Sequence, residues 1–224
     1  MLREVDLKEI SDGKLYGSND MVRADCGGCE GCSACCRGMG ETVVLDPLDV
    51  FRLTTGLSVS FENLLEGRLA LRVVDGLILP YLQMTGEEES CSFLDADGRC
   101  SVHELRPGIC RLFPLGRFYE GDSFRYFLQV HECENPNRTK IKVKKWMDMP
   151  DIKGYEQFVR DWHALQKDVQ ARLDKREDWE LRKAVSMRLL RDFFASPYEK
   201  EEEFYAQFYD RLKNFSIFLM QSCP

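Results

Sequence analysis

No stretch of this chain is apolar for more than a few residues, far short of the roughly 20 that a membrane-spanning helix needs. The opening residues, MLREVDLKEI, are charged rather than apolar, so neither a secretory leader nor a membrane segment is expected. Basic charge is scarce as well: 31 Lys and Arg stand against 38 Asp and Glu, a formal net charge of -7. That balance argues against a nucleic-acid partner, which would call for a basic surface. A glycine-rich phosphate loop and a dinucleotide fingerprint are both missing, which removes the usual nucleotide cradles but leaves a cofactor such as S-adenosylmethionine open. There is no internal repeat and no low-complexity segment. These absences leave a cytoplasmic chain with a protein or small-molecule partner of unknown kind.

Cysteine is what the chain has in excess. Ten occur, at 26, 29, 32, 35, 36, 91, 100, 110, 133 and 223, and nine of them precede residue 134. In a reducing compartment thiols stay reduced, and a cysteine-rich chain there more often binds metal than forms disulfides. The asymmetry predicts a metal-binding region over 1–150 and a helical region over 151–224. With 224 residues and 44% hydrophobic content, the chain fits one ordinary domain or a domain with a helical appendage.

The elements are legible in part. Asp46 stands where a helix N-cap belongs, Pro47 at the first helical position and Gly56 just beyond the end. LALRVV and LILPYLQM flank Asp75 and Gly76, a hairpin-turn pair. Residues 124–130 and 138–146 have strand-like content, the latter alternating Lys140, Lys142 and Lys144 with Ile141 and Val143 as an edge strand would. Tyr155, Phe158, Val159, Trp162, Leu165, Val169 and Leu173 recur at helical spacing. A second helix is expected over 178–194, ending before Pro197, and a third over 199–220. The fold class is therefore α+β: a small irregular cysteine-rich module with a β-hairpin or small sheet, packed against C-terminal helices.

The run CGGCEGCSACC places five cysteines in residues 26–36. A Cys-x-x-Cys step brings two thiolates to one ion through a tight turn, which Gly27, Gly28 and Gly31 permit. The repeated spacing also matches one limb of a bacterial ferredoxin site. Cys35 and Cys36 are adjacent; in extended backbone their side chains would diverge, so they would serve two metals or only one would be a ligand. A second group follows: Cys91, Cys100 and Cys110, with a turn at Asp97 and Gly98, a short helix near 102–105, and Pro107 and Gly108 redirecting the chain. Cys133 follows a strand. Arg99, Arg106 and Arg111 read equally as donors to thiolates and as ordinary salt-bridging residues. His103 and His131 lie near cysteines and read first as surface hydrogen-bonding residues; His163 reads as structural. Asp46 and Asp49 read as capping groups rather than a carboxylate pair. Cys223 reads as a spare thiol.

These motifs carry a resemblance. Cys29 to Cys36 (CEGCSACC), LDPLD at 45–49, CSFL at 91–94 and RCSVHELRPGICRLFP at 99–114 stand in the order of the YkgJ-like cysteine-cluster family, described as zinc- or iron-chelating. The resemblance covers residues 26–133. It implies that Cys29, Cys32, Cys35, Cys36, Cys91, Cys100, Cys110 and Cys133 form the metal-ligand set, with Cys26 outside the core pattern. A similar cluster occurs in flagellin lysine methylases. The function expected is thus a cysteine-ligated iron–sulfur or zinc centre, redox-active if iron–sulfur; the alternative is a protein-modifying enzyme resembling a lysine N-methylase.

Overall fold

Asp75 and Gly76 both adopt positive φ, 50° and 83°, the turn whose twist matches that of paired strands. Around them the computed structural model, which describes residues 6–27, 32–133, 135 and 137–223, forms the expected hairpin. In chain order the elements are α1 (Leu7–Ile10), β1 (Met21–Asp25), α2 (Pro47–Leu57), α3 (Phe61–Leu65), β2 (Leu69–Val74), β3 (Leu77–Leu82), β4 (Met84–Thr85), β5 (Ser90–Cys91), α4 (Gly108–Leu112), β6 (Leu115–Glu120), β7 (Ser123–Leu128), β8 (Thr139–Lys142), α5 (Val143–Met147), α6 (Ile152–Leu173), α7 (Trp179–Leu190) and α8 (Phe204–Ser222). Single 3₁₀ turns lie at Ala34–Cys36 and His103–Leu105, and a π-helical turn at Arg191–Ala195. The described strands pair as four two-stranded antiparallel sheets, β1–β8, β2–β3, β4–β5 and β6–β7. The class is α+β.

Contacts divide the chain into two units, Met1–Val43 with Met84–Arg160 and Val44–Gln83 with Asp161–Pro224. Residues 44–83 therefore belong with the C-terminal helices rather than with the cysteine segments that flank them. Every described cysteine except Cys223 falls in the first unit.

In the first unit β7 meets β6, a strand the sequence reading missed, in register from Leu115↔Leu128 to Glu120↔Ser123. Gly116 is required there, since a Cβ would lie 2.3 Å from the ring of its cross-strand partner Phe127. Tyr126 is buried and its hydroxyl donates to Glu156 at 3.0 Å. Arg117 donates to the Tyr155 hydroxyl at 2.6 Å. The lysine-rich strand stops at Lys142 and pairs with β1, another strand not foreseen. The expected strand over 138–146 is thus corrected in its second half. Val143, Trp146 and Met147 turn into α5 and bury together, a helical spacing that two-residue alternation could not deliver. The Trp146 indole N–H reaches the carbonyls of Leu112 and Phe113 at 3.3 and 3.1 Å, tying α5 to the end of α4.

In the second unit Asp46 caps α2 through a reciprocal box with Asp49, at 2.9 and 3.1 Å, so this pair is structural. The helix runs past Gly56 to Leu57, and Ser58 supplies the left-handed cap at φ 56°. Ser186 on α7 accepts the Ile78 N–H at 2.7 Å, fastening the hairpin to its helix. The third C-terminal helix begins at Phe204 rather than 199. Gln207 bonds both backbone groups of Glu199, and Arg211 takes the carbonyls of Asp192, Ser196 and Pro197, so that stretch is held as a loop. Phe193 is fully buried at the centre, with ring centroids 5.1 Å from Trp162, 5.8 Å from Phe208 and 5.6 Å from Phe215. Phe193→Ala would leave a cavity among rings that cannot collapse into it. A loss of about 3–5 kcal/mol is expected, read as a lowered urea midpoint of the full chain; an unchanged midpoint would contradict this packing.

Candidate metal centre

The first cysteine group begins where β1 ends. Cys26 follows Asp25, whose carboxylate accepts the Gly27 N–H at 3.0 Å while Gly27 takes φ 72°. Cys29 lies outside the described residues. Cys32 is exposed, and Cys35 and Cys36 are half-buried in the 3₁₀ turn, closed by Cys36 N–H to Ser33 O at 2.8 Å and Arg37 N–H to Ala34 O at 3.2 Å. This corrects the expectation of diverging neighbours. In a 3₁₀ turn successive side chains are about 120° apart rather than opposed, and the Cys35 thiol hydrogen-bonds Cys36.

The second group is brought to the first by the backbone just after the turn. Arg37 forms an antiparallel bridge with Ser90, and the Gly38 N–H reaches Glu89 O at 3.0 Å. The Arg37 guanidinium bonds Ser90 Oγ at 2.8 Å and pairs with Glu88. Ser90 and Cys91 form β5, so Cys91 is one residue from this clamp and buried. From Cys91 the chain loops back at once. Asp95 accepts the N–H groups of Asp97 and Arg99 at 3.0 and 2.8 Å, Gly98 takes φ 72°, and Leu94 bridges Cys100. Gly98 faces Ser33, whose Oγ would be 3.8 Å from an added Cβ. The 95–100 turn thus lies beside the 33–36 turn.

Cys35 and Cys100 consequently feel each other. The Cys35 thiol is held well above the ordinary range by its hydrogen bond to Cys36, then by burial. Cys100 is raised by burial first, with Cys35 and Asp95 adding to it; the Arg106 guanidinium pulls both thiols down. Cys110 is half-buried on α4. Its neighbour Arg111 is only 6% exposed, and fixes that helix by bonding the carbonyls of Glu104, Arg106 (3.2 Å) and Asp148 (3.2 Å). Cys133 is half-buried on the segment after β7.

Among the described residues no three His, Cys, Asp or Glu side chains converge into a ready-made coordination shell. Cys35 hydrogen-bonds Cys36, and its electrostatic influence reaches Cys100. Cysteine sulfurs are soft donors that suit zinc and iron, and a thiol gives up its proton when it binds such a cation. Their donor chemistry fits such an ion. A family model described as "CxxCxxCC: putative zinc- or iron-chelating domain" matches residues 28–139, half of the chain.

The chain belongs to the CxxCxxCC family. No curated protein and no solved structure matches it. The family segment contains both cysteine groups and the Arg37–Ser90 clamp between them. It excludes Cys26, which the resemblance had also left outside, and Cys223, which lies in the other unit with its carbonyl accepting from Arg172 at 2.7 Å. His103 is 46% exposed and its Nε2 accepts from Arg106 at 2.9 Å, with Nδ1 3.7 Å from Glu104. Its Nε2 is therefore engaged by an arginine rather than by a sulfur. His131 is exposed, and His163 sits on α6 with its pKa lowered by burial. Ser33, Arg37 and Ser90 join the two cysteine-bearing segments and were not foreseen, whereas the turn at Gly98 was. An arginine after a cysteine run carries no signal of its partner 53 residues away.

The thiolate is the reactive form of cysteine. In reduced, metal-free protein near neutral pH, exposed Cys32 is therefore expected to be alkylated faster than Cys35 or Cys100, whose raised values keep them protonated. Mass-spectrometric mapping of iodoacetamide labelling checks this order, and Cys35 labelling first would overturn the electrostatic account.

Proposed function

We propose that the chain holds a cysteine-ligated metal centre built from both cysteine groups, with Cys29, Cys32, Cys35, Cys36, Cys91, Cys100, Cys110 and Cys133 as the ligand set. The observation that carries this reading is the docking of the 33–36 turn on the 90–100 loop, which puts Cys35 and Cys100 within electrostatic reach of one another. Cys36 joins them through its bond with Cys35. The repeated Cys-x-x-Cys spacing favours an iron–sulfur cluster, which would supply one-electron redox chemistry; zinc is the other occupant that suits the same thiolates. No helix among the described residues is long and apolar enough to cross a membrane. With reduced thiols as its ligands, the protein's place is the cytoplasm.

Metal analysis and a visible spectrum of anaerobically purified protein test the reading. Iron with sulfide and a broad visible band is expected, whereas zinc in a colourless sample would identify the alternative occupant. Cys35→Ser and Cys100→Ser are each expected to lower metal content, while Cys223→Ser leaves it unchanged. Equal content in all three variants would refute the shared centre.

Metal binding also becomes folding free energy where loops carry the ligands, on the order of 10 kcal/mol for a structural zinc site. Chelation is therefore expected to expose the 26–133 segment to protease before the C-terminal helices. Unchanged protease resistance after complete metal removal would count against a structural contribution from the metal.

A further inference from the structure

The second cysteine group carries three arginines, and the structure separates them. Arg111 is buried and committed to three backbone carbonyls. Arg99 is exposed, beyond the turn that its own backbone N–H closes on Asp95. Arg106 differs from both. It caps the His103–Leu105 turn and leads through Pro107 into α4, so its backbone is fixed on both sides. Its own carbonyl is one of those that Arg111 holds, at 3.2 Å. One end of its guanidinium is aimed by His103, whose Nε2 accepts from Nη1 at 2.9 Å. The Nε–H is buried and has no acceptor among the described residues.

An unsatisfied buried donor beside a set of thiols has a chemical explanation. A protonated thiol is a weak acceptor, and a thiolate is a strong one. Metal binding converts the first into the second and, at the same time, concentrates negative charge on the sulfurs. Arg106 stands one turn beyond Cys100: the Cys100 carbonyl accepts the His103 N–H at 3.2 Å, and the His103 carbonyl in turn accepts the Arg106 N–H at 3.3 Å; from there its charge reaches a thiol of each cysteine group. Two other arginines near these loops are committed elsewhere: Arg37 to Glu88 and Ser90, and Arg111 to carbonyls.

We propose that Arg106 is the positioning residue of the metal centre: its Nε–H donates to a metal-bound thiolate, its charge offsets part of the excess negative charge of the sulfurs, and His103 holds the guanidinium in that orientation. This rests on the reading of a cysteine-ligated centre given above. In this role Arg106 acts through the sulfurs rather than on the ion, on metal affinity and on the electronic character of the metal–sulfur bonds.

The test uses the full chain, reduced and metal-free, titrated anaerobically with cobalt(II), with zinc then displacing the cobalt to give its affinity. Groups that hydrogen-bond to metal ligands typically change affinity by about 10–100-fold when removed, and Arg106→Gln is expected to weaken zinc within that range. Its thiolate-to-cobalt band is also expected to shift. Arg106→Lys keeps the charge and loses the Nε–H, so affinity should recover in part while the band stays shifted. Arg99→Gln should match the unsubstituted protein on both counts. Urea unfolding of each metal-free variant separates these effects from loss of the fold, and if Arg106→Gln does not fold, the band of Arg106→Lys decides. Wild-type affinity in Arg106→Gln, or an unshifted band in Arg106→Lys, would overturn the assignment while leaving the metal centre intact. Failure of the unsubstituted protein to bind either ion would remove the centre itself.

Discussion

The bond from Arg37 to Ser90 joins segments 53 residues apart, and the arrangement of the cysteines depends on it. Without the bridge at Arg37 and the Gly38 contact with Glu89, the 3₁₀ turn carrying Cys35 and Cys36 would be tethered to the chain on one side only. Each contact taken singly is modest, since the Arg37–Glu88 pair is largely exposed and such pairs contribute about 0–1 kcal/mol. Their effect is geometric. A short strand pairing fixes direction and register together, so Cys91 and Cys100 follow at set positions. The long intervening segment is no obstacle, because closure entropy rises only slowly with loop length.

Charge then becomes the governing difficulty. Several thiols are gathered in a half-buried region of a chain already carrying a net charge of -7. Burial and mutual proximity both disfavour their ionised form, as the raised values of Cys35 and Cys100 express. A metal cation reverses that balance, turning a cluster that resists ionisation into one that requires it. The Arg106 guanidinium acts in the same direction, lowering both thiols. Arg111, which sequence spacing alone could not tell from it, serves instead as a backbone clamp holding α4 and its Cys110.

The helical unit rests on different physics. Its centre is a group of aromatic rings around Phe193, in tilted and edge-on contacts, where shape complementarity rather than ligation supplies order. The polar residues there are fasteners: Ser186 on the β2–β3 hairpin, and Arg211 stacked 3.6 Å over Tyr198 while bonding the loop before α8. Such a unit needs no metal to account for its cohesion.

How much could be read in advance follows from the range of the interactions involved. The cap at Asp46, the turn at Asp75 and Gly76, the amphipathic stripe through Phe158 and Trp162 and the Cys-x-x-Cys run all depend on neighbours within a few residues, and periodicity or turn chemistry reveals them. The reading of Cys29, Cys32, Cys35, Cys36, Cys91, Cys100, Cys110 and Cys133 as one ligand set came from a family resemblance alone, because no local rule links the two clusters. Strands β1 and β6 were missed, since a short strand is specified by its partner more than by itself. The ending of β8 at Lys142, the assignment of residues 44–83 to the helical unit and the separation of Arg106 from Arg111 had to wait for the tertiary structure. Local chemistry determined which residues could bind metal. Contacts between segments far apart in the chain decided which of them meet, because the sequence carries a pairing partner's identity only in the energy of the pair.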